Sequence, residues 1–593
     1  MIADWNREMT SNQVEPPLPA FIEQRLQEFA GREGVLKARR WMRPADVLMR
    51  VENLRCFKAS RVSFADMLLR RIVRERWQIR MISAECGDDG AARFVYRIDA
   101  EGHSFSYIAR AYPWDGIEKV GRRSDGADRD MFGALFVNLA SQQRIEQEFE
   151  TFDIKAEGQM RTDSDVVGWT PANRSSRHFD AAVEALSRGE QPAPELGIAY
   201  LMRNGGFQSS GRNGTVSYPG IPDGHPLAHP FFADIFAIYL VRLVSIDLVN
   251  AVARRRNPDA AQLDISIARG LGIGNSSGQG MCVALQRWPH WVATWVTVRE
   301  AALGYAKSLP VDTGSISVVR GSIESTIRIY AQTDPQTQDY VMANETIIEN
   351  LTRVSASLRE GRFQCWGDVA AHVAEVMDGE TSEQFHSVLL DVVPDFCDAI
   401  APYFQIGAAR KRQLQPAMTV AELREILRRN YVWALTADRT LAETHQHFWY
   451  HSIDNGEQRR GERIIDPHER FESFIDHIGL IQRLAAVLVS RGDKERAGDV
   501  VLDHPDLHYA ISRLQYLDGL PYAEIRDPLA HRDFVPADLI RFFLASLGIR
   551  GSTPLSIRYV RGTFFQDQPL PSEFLEPDRP GSRVRKHENE VAL

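Results

Sequence analysis

The longest apolar run in the sequence, Phe231 to Ala253, is broken by three charges, Asp234, Arg242 and Asp247. A membrane span would hardly carry three. The charges fall on no single helical face, so a surface helix is also excluded. Read on to Arg256, the stretch is one long, mostly buried helix, and each charge must be paired or reach a wet cavity. Such a helix needs protein on every side. A chain of 593 residues is long enough to supply it, in two to four domains or lobes.

Three segments alternate apolar and polar residues: Trp77 to Glu85, Ala92 to Asp99 and Ser104 to Tyr112. Gly87-Asp-Asp-Gly90 and Glu101-Gly-His103 separate them as turns. The spacing predicts a three-stranded antiparallel meander. Helical periodicity flanks it at 20–55, 63–75 and 131–152, after a loose arm at 1–18. Residues 1–155 therefore read as an α+β entry domain. The central region, 156–330, opens with a polar, turn-rich stretch at 156–196, expected as a surface connection. Ser315 to Tyr330 is ambiguous, because β-branched residues at near alternation would suit a hairpin. From 336 onward the pattern is helical, with linkers expected at Asp378-Gly-Glu-Thr-Ser, 407–416 and 453–467. That makes 331–568 a C-terminal helical region. Residues 569–593 are Pro-rich, then charged, and read as a disordered tail. The expected fold class is α+β, predominantly α-helical: a small N-terminal antiparallel sheet with a large helical body.

Candidate chemistry centres on Gly270 to Met281, where five glycines surround Asn275, Ser276 and Ser277. A glycine cluster marks left-handed backbone or close approach. Feeding a helix, it would present unpaired N–H groups to an anion. Gly274-Asn-Ser276-Ser-Gly278 also has the nucleophile-elbow pattern, with Ser276 as nucleophile on a strand-to-helix turn. The plain alternative is a tight turn where two backbones touch. Ser276-Ser277-Gly278 resembles the Ala-Ser-Gly tripeptide that cyclises in aromatic-amino-acid ammonia-lyases. Its first residue differs, and no other motif of that family accompanies it.

Two Arg-Asn-Gly turns, at Arg203 and at Arg212-Asn213, offer guanidiniums that could clamp an anion. Arg299, on the helix after the glycine segment, would sit near it. Arg459 lies in a charged stretch after the aromatic run Phe448-Trp-Tyr450, a setting for a planar anion. Glu524 and Asp527 are candidate general acid and base, with Arg526 setting their pKa values. Glu443, His447 and His451 would share a face of a helix and could hold a divalent metal, although solvated or stacking histidines are the default. No cofactor fingerprint is present, so any cofactor is unknown.

The formal charge of −9 argues against a general nucleic-acid partner. Five cysteines, an odd number with no Cys-x-x-Cys spacing, read as reduced thiols in a cytoplasmic protein. Scarce lysine and abundant arginine suit a GC-rich bacterial genome. The N-terminal residues show no secretory signal. The expectation is a cytoplasmic enzyme acting on a small carboxylated or phosphorylated molecule, lyase-like or hydrolytic. Neither nucleic acid nor membrane is expected as a partner. The alternative is a non-enzymatic helical scaffold or ligand sensor that uses the same clusters for homo-oligomer contacts.

Overall fold

The computed structural model describes residues 18–48, 50–113, 130–153, 165–175, 178–192, 200–204, 221–222, 224–229, 231–276, 289–331, 338–360, 363–404, 413–452, 457–460, 471–516, 527–550 and 561–575. The elements that position the site are helices α1 (Ala20–Trp41), α2 (Phe64–Arg74), α3 (Phe232–Arg256), α4 (Ile265–Gly270), α5 (Pro289–Ser308), α6 (Thr313–Ala331), α7 (Gly379–Leu389) and α8 (Pro394–Ile400). A nine-stranded sheet is built from β1 (Gln78–Cys86), β2 (Ala92–Ala100), β3 (His103–Ala111), β4 (Met131–Phe136), β5 (Val166–Trp169), β6 (Ala172–Arg174), β7 (Tyr200–Asn204), β8 (Gly272–Ser276) and a last strand, Arg561–Phe564.

The long helix is where the apolar run placed it. α3 is long and apolar enough to cross a membrane, but 83% of its most apolar window is buried by the protein itself. Three arginines, Arg254 to Arg256, occupy its last turn, where a helix favours cations. Its three interior charges have three different fates. Arg242 is fully buried and donates to the carbonyls of Leu271 (2.7 Å), Arg269 (2.9 Å) and Gln568 (2.8 Å), tying the end of α4 and the C-terminal segment to α3. Asp247 accepts from the Tyr96 hydroxyl at 2.6 Å. Asp234 is buried, and its Oδ2 has no partner among the described residues.

The expected meander is β1–β2–β3, antiparallel throughout. Its second turn needs only two residues, Glu101 (φ 51°) and Gly102 (φ 81°), because both are left-handed, the conformation that matches strand twist. The sheet then extends well beyond the meander through β4, β6, β7, β8 and the last strand. β7 and β8 are parallel, while the other pairs are antiparallel. α3 packs across β4, β5, β7 and β8, and the main core fills this face. A smaller core (Val95, Ile108, Phe136, Phe149 and neighbours) covers the other face beneath helix Gln142–Asp153. A third core joins the helices between Val420 and Gln515. The molecule is therefore α+β, with a mixed sheet and a large helical body.

Several local expectations are corrected. The stretch 156–196 holds β5, β6 and helix His178–Ser187, not only a connection. Ser315 to Tyr330 belongs to α6, because Val319, Ile323, Thr326 and Tyr330 form one buried helical face that outweighs β-branching. Asp378-Gly-Glu-Thr-Ser is no linker. Asp378 caps α7, its Oδ1 accepting from the Thr381 N–H at 2.8 Å. The break at 453–467 contains a strand of a three-stranded sheet built from Trp449–Ser452, Glu457–Arg460 and Phe471–Ile475. Order also persists past 569, with Leu570 buried and a short helix at Pro571–Leu575.

The glycine segment begins as a strand rather than a helix-entry turn. At Gly272 the reason for glycine is close approach, since a Cβ there would fall on the Phe564 carbonyl oxygen and 2.9 Å from Thr563 Cγ2. Gly272→Ala should therefore prise the last strand from β8. The expected cost is about 1–3 kcal/mol, read as a lower urea midpoint with an unchanged slope.

Candidate functional site

The most polar buried element is α7, Gly-Glu-Thr-Ser-Glu-Gln-Phe-His-Ser-Val-Leu, in which every residue from Thr381 to Leu389 is buried. Its carboxylates are matched by cations from distant parts of the chain. Glu383 accepts from Arg43 and, at 2.9 Å, from Arg299. Glu300 accepts from Arg43 at 2.7 and 3.0 Å, and from Arg299 at 3.1 Å. Arg299 also lies 4.8 Å above the Phe57 ring. Burial opposes ionisation of both glutamates, but the Arg43 and Arg299 guanidiniums outweigh it and hold both carboxyls below the usual range. Burial lowers His386 to about 3, with Lys307 and Arg43 adding repulsion, so its imidazole is neutral. One turn back, Glu380 pairs with Lys58 and, at 2.6 Å, with Arg541.

The outer side of α7 forms a wall of a cleft of about 500 Å³. Gln384 and Ser387 come from α7, Asp391 from the turn after it and Asp398 from α8. Opposite are Ser60, Arg61, and Asp66 and Arg70 of α2. Ser322 and Ser325 of α6 stand one helical turn apart, and Arg550 and Gln568 close the end. Four arginines, counting Arg74 at the rim, face three aspartates. The pairs are Arg61–Asp391 (3.5 Å), Arg70–Asp398 (2.6 Å), Arg74–Asp398 (3.9 Å) and Arg550–Asp66 (2.8 Å).

These pairs leave part of the wall unsatisfied. Asp66 Oδ1 accepts from both Arg550 and Gln568, while Oδ2 accepts from no group among the described residues. Ser60 Oγ and Arg61 Nε are likewise buried without partners among the described residues. Unmet buried polar atoms each cost about 1–3 kcal/mol, so three on neighbouring cleft residues call for an explanation. Together they offer a carboxylate acceptor, a guanidinium N–H donor and a hydroxyl that can do either.

The residues singled out from the sequence divide three ways. Arg203 and the 274–276 segment do come together. β7 and β8 pair in parallel with Arg203 opposite Gly274 and residue 204 opposite Asn275. A Cβ on Gly274 would meet Arg203 Cγ at 2.7 Å. Ser276 is the last residue of β8 and pairs with Arg561, so it belongs to the strand. Arg203 is exposed. In the small sheet the backbone of Arg459 stands opposite that of Tyr450. Arg212, Asn213, Ser277, Glu524 and Arg526 lie outside the described residues.

Other placements differ from expectation. Arg299 is wholly buried inside the charge cluster and reaches the cleft only indirectly, through Ser387 Oγ at 3.4 Å. Asp527 is buried, with both oxygens occupied: Oδ1 by Arg513 (2.7 Å) and the Leu529 N–H (3.0 Å), Oδ2 by Arg513 (2.5 Å) and Tyr431 (2.5 Å). That arrangement suits a counter-charge within the third core. The 443–451 histidines share no helix face, because Ala442–His447 is a 3-10 turn and Trp449–Ser452 a strand. His447 Nε2 instead lies 3.0 Å from the Arg532 carbonyl, and burial lowers its ring to about 4.

Sequence reasoning missed the cleft itself. The available signals were the Asp378 cap and the three-to-four spacing of Glu380, Glu383 and Ser387, both typical of a helix.

Comparison with protein-family models, curated proteins and solved structures returns no match to this chain.

Proposed function

We propose that this protein binds a small polar molecule in the cleft beside α7, one that carries a carboxylate or phosphate together with hydroxyl or amino groups. The observation that carries the reading is the trio of unmet atoms, Ser60 Oγ, Arg61 Nε and Asp66 Oδ2, on a cleft of about 500 Å³. That volume suits a small metabolite. Arginines favour its anion, and Asp66 Oδ2 needs a donor from it. A bare anion supplies no such donor, so hydroxyls or an amine belong to the expected ligand.

A second reading keeps the enzyme, lyase-like or hydrolytic, at the far end of β7 and β8. It is favoured by the parallel pairing that sets Arg203 beside the 274–276 segment, since ligands of such sheets bind beyond the carboxyl ends of parallel strands.

One experiment separates the two. Thermal melts with citrate and with glycerol 3-phosphate at millimolar concentration should rise by several degrees, more than with inorganic phosphate. Under the first reading Arg61→Ala abolishes the rise and Arg203→Ala does not. The reverse pattern moves the site to the β7–β8 end, and no response to any of the three removes both.

A further inference from the structure

Away from the cleft beside α7, a second cavity of about 630 Å³ opens between α3, α4, β1 and the C-terminal segment. Its walls are mostly apolar, from Ile79, Leu243, Ile246, Leu263 and Leu570. Its mouth carries Met81 and Ile265, which are 47% and 50% exposed, so the apolar lining continues to the surface. Single exposed apolar residues are ordinary, but here two flank the entrance of a pocket of ligand size.

Against this lining stands one carboxylate, Asp247. Its Oδ2 accepts from Tyr96 at 2.6 Å, and its Oδ1 accepts no hydrogen bond among the described residues. Among those residues no arginine, lysine or histidine lines the cavity. Among the described residues the cation acting on Asp247 is Arg254, two turns along α3. Burial raises the Asp247 carboxyl above its ordinary range, although Tyr96 and Arg254 pull the other way. The other polar residues of the lining, Asn250, Gln262 and Ser572, carry no formal charge, and Asn250 Oδ1 already accepts from the Leu263 N–H at 2.9 Å. An apolar chamber with one under-partnered carboxylate selects a ligand of opposite charge on an apolar body.

We propose that this cavity is a binding site for a hydrophobic amine, its ammonium paired with Asp247 Oδ1 and its apolar body lying along Leu243, Ile246 and Leu263. A carboxylate of the same shape is rejected by like-charge repulsion. The corresponding alcohol gains the burial but not the ion pair, so the discrimination is electrostatic.

The test is calorimetric titration of the full chain with three probes of one shape: 4-phenylbutylamine, 4-phenylbutan-1-ol and 4-phenylbutyrate. The amine should bind saturably and at least tenfold more tightly than the alcohol, and the carboxylate should not bind. Asp247→Asn should weaken the amine at least tenfold and leave the alcohol within about twofold. Ile265→Lys, at an exposed position, places a competing ammonium at the mouth and should weaken the amine alone. It decides the matter if Asp247→Asn does not fold. Arg61→Ala should leave the amine unaffected, which separates this site from the cleft beside α7. Equal affinities for amine and alcohol, no binding of the amine, or an amine affinity unchanged in every folded variant of Asp247 and Ile265 would overturn the proposal.

Discussion

Glu383→Ala is expected to lower the unfolding free energy by about 3–5 kcal/mol, one of the largest effects of any single substitution in the chain. Glu383 and Glu300 are the two carboxylates inside a buried cluster that also holds Arg43, Arg299 and Lys307. Burial lowers Lys307 to about 7, and repulsion from Arg43 adds to it, so the lysine does not contribute a full charge at neutral pH. The cluster is then close to two against two. Removing Glu383 leaves two guanidiniums sharing one carboxylate, out of reach of water. Desolvation is what makes this costly. The exposed pair Arg353–Glu349 has a short 2.5 Å contact, yet Glu349→Ala should cost under about 1 kcal/mol because solvent screens both partners. The decisive comparison is the double variant Arg299→Leu/Glu383→Leu. It restores one guanidinium to one carboxylate and fills the space with apolar volume, so it should recover most of the loss. Urea midpoints of the three variants check this. A single variant as stable as wild type would mean that water reaches the cluster.

The same cluster shows where sequence reading stops. Local patterns with one owner were legible. α3 is apolar over many turns whatever surrounds it, and the meander announces itself by alternation and turn residues within about 35 residues of chain. α7 was not legible, because nothing within it explains its burial. Its glutamates are tolerated only because Arg43, Lys58, Arg299 and Arg541 arrive from segments far apart in sequence. Read alone, its start at 378–382 resembles a solvated linker and the rest an ordinary helix. β7, β8 and the last strand were hidden for a related reason. Each is four or five residues long, and each partner is distant in sequence. The glycines of β8 suggested a turn, yet Gly272 and Gly274 are there so that Phe564 and Arg203 can approach from neighbouring strands. For the site, the pairing of Arg203 with Gly274 across β7 and β8 was not readable, since both segments read as loops. The cleft beside α7 was not legible either, since its residues run from Ala59 to Pro569 and none sits in a motif.

The apolar run that organises the fold also yields a pH-dependent expectation. Asp234→Asn should stabilise the protein at pH 9 by several kcal/mol while bringing no gain near pH 4. Burial pushes the Asp234 carboxyl from its ordinary 3.8 up to about 8, against the small help of its own backbone N–H. Between those values the unfolded chain has released the proton and the folded chain keeps it. Folded stability therefore falls as pH rises, by about 1.4 kcal/mol per pH unit, and levels off above about 8. The accumulated loss has an upper limit of roughly 6 kcal/mol. Asparagine is neutral throughout, so this slope should vanish. Its amide brings an N–H₂ group to a place where Asp234 Oδ2 already lacks a partner. That substitution costs about 1–3 kcal/mol at every pH. At pH 4 the aspartic acid is protonated in the fold and still partly so in the unfolded chain, so the loss is under about 1 kcal/mol, the cost outweighs it and the variant should be the less stable. The two stability curves then cross between about pH 4.5 and 6. Urea midpoints at pH 4, 5.5, 7 and 9 for both proteins test this directly. Parallel curves over that range would mean that Asp234 is ionised in the folded protein and has found a cation.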